Sequence, residues 1–179
     1  MARLLEKYRK EIAPEYVSKF GLKNIFQVPR LKKIVINIGI NEPKQDAKIL
    51  ESIVNGVSKI TGQKPSVRKA RLAVAGFKLK QGSPCGCVVT LRKTKMYEFL
   101  DRLVNIALPR ERDFHGLPVN AFDENGNYTF GLNDQTIFPE ISVDNAKIVH
   151  GMHITLVMNS GSADKSRELL KMFGFPFKK

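Results

Sequence analysis

The 179-residue, 20.2 kDa chain carries 30 Lys and Arg against 17 Asp and Glu, a formal net charge of +13. Its 42% hydrophobic content excludes disorder as a whole-chain description, and no apolar run approaches the ~18–20 residues of a membrane span. The length suits one domain over 1–179 that buries about 68–70% of its unfolded surface, and so much positive charge points to a polyanionic partner, since each neutralised phosphate releases condensed counterions.

The first segment, Ala2 to Phe20, places Leu4, Leu5, Tyr8 and Ile12 at helical spacing, and Pro14 is expected to break or kink that helix. It lacks the apolar stretch and small-residue cleavage site of a secretory leader, so the expected location is the cytoplasm. In KKIVINIGI, Ile34, Ile36, Ile38 and Ile40 alternate with Val35, Asn37 and Gly39, the period of a strand with one core face. Asp46 is expected to cap the helix AKILESIVNGVSKI, whose Ile49, Leu50, Ile53, Val54, Val57 and Ile60 form a stripe ending at Gly62. QKPSVRK and CGCVVTLR read as two strands joined by Ala70 to Ser83, a protruding basic loop.

Thr94 is expected to cap KMYEFLDRLVNIAL, which Pro109 stops. A turn at DENGN and strands at NYTFGL and GMHITLVMN follow, then a helix, ADKSRELLKMF, capped by Ser162 and ended by Gly174. The order predicts an α+β fold: a single domain, mostly antiparallel sheet, helices packed on one face, and a long basic hairpin loop.

Charge is distributed in blocks. Ser52 through Tyr97 holds no acid and includes Lys59, Lys64, Arg68, Lys69, Arg71, Lys78, Lys80, Arg92, Lys93 and Lys95. Asp113 through Ala146 inverts this, with Asp113, Asp123, Glu124, Asp134, Glu140 and Asp144 and no Lys or Arg, so 113–146 is expected to dock a protein.

Motifs for catalysis are missing: there is no phosphate loop, no G-x-G-x-x-G and no G-x-S-x-G elbow. Cys85 and Cys87 are too close in sequence for the usual zinc chelate or redox pair, and read as small residues on one face of a strand. No cofactor or metal is expected. An RNA-modifying or RNA-processing enzyme and a free regulatory RNA-binding protein remain the competing classes.

Strand alternation puts Val35, Asn37 and Gly39, then Val88, Thr90 and Arg92, then His153, Thr155 and Val157 on one face, opposite the core. Small residues with hydroxyl or amide groups suit the shallow minor groove of A-form RNA, against the alternative of a plain solvated face. In the loop, Arg71, Lys78 and Lys80 interleave with Leu72, Val74, Phe77 and Leu79, suiting either phosphate and base contact or a tip folded onto its own domain. Phe173, Phe175 and Phe177 are read as core anchors of the last helix rather than base-stacking groups.

The segments LKKIVINIGI, TGQKPSVRKARLAVAGFKLKQGSPCGCVVTLR, LPRERDFHGL and GNYTFGLNDQTIFPEI together resemble the bacterial large-subunit ribosomal protein five family, the 5S rRNA-binding proteins, from end to end. The resemblance implies a non-enzymatic component of the central protuberance that binds 5S rRNA and helps attach it to the large-subunit rRNA among other central-protuberance proteins. Asn37, Gln63 and Thr90 match the family's polar RNA contacts, with Lys64, Arg68 and Arg92 beside them. The 70–83 loop matches the segment that faces P-site tRNA, with Arg71, Phe77, Lys78 and Lys80 as its contacts. Arg110, Arg112, Asp113, Asp134, Glu140 and Asp144 fall in the region that bridges to a small-subunit head protein.

Overall fold

In the computed structural model, which describes residues 2–40, 47–77, 79–112, 114–141 and 149–178, the strands pair in one antiparallel sheet. They are β1 (Leu31–Gly39), β2 (Ser66–Lys69), β3 (Pro84–Leu91), β4 (Tyr128–Leu132) and β5 (Met152–Met158), in the order β2-β3-β1-β5-β4. β1 is central because its alternation buries Ile34, Ile36 and Ile38. Each buried Ile stabilises the fold by ~1.5–3 kcal/mol relative to an exposed one, and a one-residue slip would exchange all three for Val35, Asn37 and Gly39. The register is therefore held by the core. Cys87, Val89 and Leu91 of β3, Ile154 and Leu156 of β5, and Tyr128 and Phe130 of β4 join the same buried layer.

Helices cover that face. Ile53, Val57 and Ile60 of α3 (Ala47–Thr61) and Met96, Phe99 and Leu100 of α4 (Lys93–Arg102) are buried in the core. The N-terminal helix packs beside α4: Arg3 makes a two-pronged ion pair with Asp101, at 2.7 and 3.2 Å. The expected α+β fold, one antiparallel sheet with helices on one side, is what forms.

Pro14 does not break the first helix. α1 (Arg3–Lys7) runs through a π-helical turn (Tyr8–Ile12) into α2 (Ala13–Phe20), and the Ala13 N–H donates to the Tyr8 carbonyl. Pro109 is accommodated in the same way: a π turn (Leu103–Ala107) follows α4 and precedes a 3-10 turn (Leu108–Arg110). A proline ring crowds the carbonyl four residues back, here Lys10 and Asn105, and in both cases that residue lies inside the wider turn.

Two expected caps differ. α4 begins at Lys93, so Thr94 is already inside the first turn; Lys93 itself, at φ +52°, makes the sharp turn out of β3. Ser162 occupies the N-cap position of α5 (Ala163–Met172), but its hydroxyl makes no cap bond. The Ser160 hydroxyl instead holds the Ser162 backbone, donating to its carbonyl at 3.1 Å and accepting from its N–H at 3.4 Å. Asp46 lies outside the described residues. Phe173 and Phe175 are buried and Phe177 half-buried, with Phe173 stacked 5.9 Å from Tyr8 and Phe177 edge-on to Tyr128 at 5.6 Å. They anchor the C-terminus to the core.

Candidate nucleic-acid interface

The face of the sheet away from the helices is built by register. Asn37 pairs with Val88 on β3 and with His153 on β5, Ser66 pairs with Val88, and Gly131 with His153. One row thus runs Ser66, Val88, Asn37, His153, Gly131. The next runs Thr90, Val35, Thr155, Thr129. Asn37, His153, Ser66 and Thr129 are exposed, Thr90 and Thr155 half-buried, and the Thr129 hydroxyl donates to that of Thr155 at 3.0 Å.

Gln63 reaches this face from a turn fixed by buried groups. The Thr61 hydroxyl, itself buried, donates to the Val57 carbonyl at 2.7 Å, and the Gln63 N–H donates back to that hydroxyl at 3.3 Å. Lys95 Nζ donates to the Gly62 carbonyl at 2.9 Å, and Gln63 Nε2 to the Thr90 carbonyl at 3.4 Å. The structure therefore brings Asn37, Gln63 and Thr90 together. Lys64, Arg68 and Arg92 are exposed around them, with Arg68 two residues beyond Ser66 and so on the same side of β2. Small hydroxyl and amide groups in the middle and cations at the margin can read 2′-hydroxyls and hold phosphates. Ser66, Thr129 and Gly131 complete the face although sequence reasoning missed them; the alternation of Thr129 and Gly131 with Tyr128, Phe130 and Leu132 was the available signal.

Gly86 makes the close strand approach possible: a Cβ there would stand 2.3 Å from the Ile38 carbonyl oxygen. No side chain fits without a backbone shift. Burial pushes the Cys87 thiol up, in keeping with a core role, and both cysteines are free.

The loop between β2 and β3 is ordered by its own backbone. Ala70 and Ser83 close its base at 2.8 Å, Val74 and Leu79 exchange bonds at 3.0 and 3.1 Å, and a 3-10 turn (Ala75–Phe77) forms the tip. Leu72 is 75% exposed and Val74 42%, so these two apolar side chains are not folded back onto the domain, while Leu79 is half-buried. Arg71 and Lys80 are exposed; Lys78 and the side chain of Phe77 lie outside the described residues.

The acidic stretch is less free than its composition suggests. Asp134 accepts from the Thr136 N–H and hydroxyl, both at 2.7 Å, and Glu140 pairs with Arg102, whose guanidinium also donates to the Ile60 carbonyl at 2.9 Å. Burial alone would push the Asp123 carboxyl up, but hydrogen bonds from Asn127, Asn125 and Gly126 hold it below its ordinary range. Glu124 and Arg110 are exposed, Arg112 is exposed and lines a cleft beside β4, and Asp113 and Asp144 lie outside the described residues.

Comparison with known proteins covers the whole chain. Residues 24–80 match ribosomal protein L5 and residues 84–177 match the ribosomal L5P family C-terminus. The large ribosomal subunit protein uL5 of Geotalea uraniireducens is 53% identical over 178 residues, 99% of each chain, and that of Moorella thermoacetica is also 53% identical over 178 residues, again 99% of each. The uL5 protein of Alkaliphilus oremlandii is 51% identical over all 179 residues of both. Identity at this level over the full length of both chains means that the chain belongs to the uL5 family of large ribosomal subunit proteins.

Proposed function

We propose that the open face of the sheet is the surface with which this chain, a structural and non-catalytic component of the large ribosomal subunit, holds 5S rRNA in the central protuberance. The single observation that carries the assignment to this face is the cross-strand row joining Asn37 to Val88 and His153, with Thr90 and Gln63 beside it. Asn37, Gln63 and Thr90 make the hydrogen bonds, and Lys64, Arg68 and Arg92 hold flanking phosphates of 5S rRNA or of the large-subunit rRNA it is attached to. The 70–83 loop, exposed at Arg71 to Gly76 and Lys80 to Gly82 and closed by its own ladder, is suited to a second RNA, the P-site tRNA, through Arg71, Lys80, Phe77 and Lys78.

Docking to a small-subunit head protein falls to the acidic stretch. Asp134 and Glu140 are engaged within the chain, so the exposed groups for that contact are Glu124, Arg110 and Arg112, joined in this reading by Asp113 and Asp144, which lie outside the described residues. Titration of 5S rRNA with the purified protein over a series of salt concentrations tests the main assignment. Stoichiometric binding that weakens log-linearly with salt supports it; absence of saturable binding at low salt rejects it.

A further inference from the structure

The polar face of the sheet does not stop at β4. There it opens into a cleft of about 570 Å3, lined among others by Arg112, Phe114, His115, Gly131, His153 and Lys178. The cleft has a built wall. The Leu117 N–H donates to the Pro176 carbonyl at 2.8 Å and the Lys178 N–H to the Leu117 carbonyl at 2.9 Å, so the C-terminal tail is pinned to the chain at Leu117, two residues beyond His115. Gly116, at φ +91°, permits this contact: a Cβ there would lie 2.9 Å from the Lys178 nitrogen.

Three features of the cleft bear on its occupant. It is continuous with the RNA face, because His153 stands beside Asn37 in the sheet and also lines the cleft. Among the described lining residues two cations, Arg112 and Lys178, face one acid, Glu111, whose carboxyl is pushed up by burial. Its floor is bare at Gly131, where even an added Cβ would keep 3.6 Å from the His153 ring, while Phe114 supplies an aromatic wall. A cleft that joins an aromatic side chain and a bare glycine to two cations fits a nucleotide better than an extended chain of phosphates.

We propose that this cleft receives one unpaired nucleotide of the RNA held on the sheet, its base beside Phe114 over Gly131 and its phosphate between Arg112 and Lys178. The proposal rests on the sheet-face reading. It removes Arg112 from the small-subunit contact and makes the C-terminal tail part of the RNA site.

Equilibrium binding and nucleotide-resolved base probing of 5S rRNA test it, with the wild-type chain, Gly131→Leu, which fills the slot, and the exposed double change Arg112→Ser with Lys178→Ser, which leaves the core untouched. Wild type should protect one unpaired base that becomes reactive again with Gly131→Leu, while the remaining protection persists. The double variant should bind about tenfold more weakly. Unchanged affinity and footprint in both variants would overturn the proposal, as would lost small-subunit association with an unchanged RNA footprint, which assigns the cleft to a protein. Asn37→Ala run in parallel separates the two readings: a disturbed footprint there with silent cleft variants rejects the cleft alone, and silence in all three rejects the face as well.

Discussion

Asn37 on β1 and His153 on β5 stand directly opposite each other, both exposed, on a face whose reverse side is the hydrophobic core. Side chains on this face can therefore be changed without touching the packing beneath. Asn37→Ala or Thr90→Val is expected to weaken 5S rRNA binding by ~1–3 kcal/mol per hydrogen bond left unsatisfied, with the unfolding midpoint unchanged. Equilibrium binding paired with a thermal melt checks both halves; full affinity in both variants would remove the face from the interface.

The loop should behave as a separate surface. Arg71 and Lys80 are exposed and the loop closes on itself through Ala70 and Ser83, so replacing both cations with Ser should leave the fold intact. Binding to tRNA is expected to lose ~0.9 from its salt slope for each true duplex phosphate contact removed, while 5S rRNA affinity barely changes. A loss of 5S rRNA affinity as large as that of the face variants would contradict the division.

Gly86 is expected to be the least replaceable small residue of the sheet. Gly86→Ala places a methyl group 2.3 Å from the Ile38 carbonyl, so β1 and β3 must separate. The expected cost is ~1–3 kcal/mol of stability, read as a lower denaturant midpoint. Gly76→Ala, whose added Cβ meets nothing within 4 Å, is the matched control and should be near neutral.

Acid sensitivity should come in part from Glu168. Lys19 on α2 reaches it at 2.5 Å and Lys171 on α5 at 3.0 Å, and Lys19 first, then Lys171, holds its carboxyl below the ordinary 4.5. A lowered folded-state value means that the contribution is present at neutral pH and is lost as pH falls below 4.5 through the folded value. Because Lys19 is half exposed, the effect is under ~1 kcal/mol. Glu168→Gln should destabilise by that amount at pH 7 and match wild type once Glu168 is protonated; a constant difference across the range would show that the ion pair is not its origin.

The sheet was legible because its alternation has one physical cause. Ile34, Ile36 and Ile38 must be buried together, which places Asn37 outside and, through register, aligns it with His153. Gln63 was legible only through the family resemblance, since it sits in a turn, and its approach to Thr90 depends on Thr61 and on Lys95, 33 residues from the Gly62 carbonyl it binds. The π turns ahead of Pro14 and Pro109 left no signal, because sequence rules register the missing N–H and not how neighbouring carbonyls rearrange. Composition also overstated the free acidity of 113–146: Asp123 and Asp134 are occupied by the local turns they close with Asn127 and Thr136, and Glu140 by Arg102, 38 residues away, which only the folded chain brings within reach. The cleft at Gly131 was hidden for the same reason, because it needs the C-terminal tail beside Leu117.

The central claim is that one face binds 5S rRNA and the loop does not. A nucleotide-resolved protection map of 5S rRNA with the wild-type chain, the combined Asn37→Ala and Thr90→Val variant, and the combined Arg71→Ser and Lys80→Ser variant tests it most directly. The expected map shows protection by wild type that is lost with the face variant and retained in full with the loop variant. Protection that survives the face variant and vanishes with the loop variant would contradict the account.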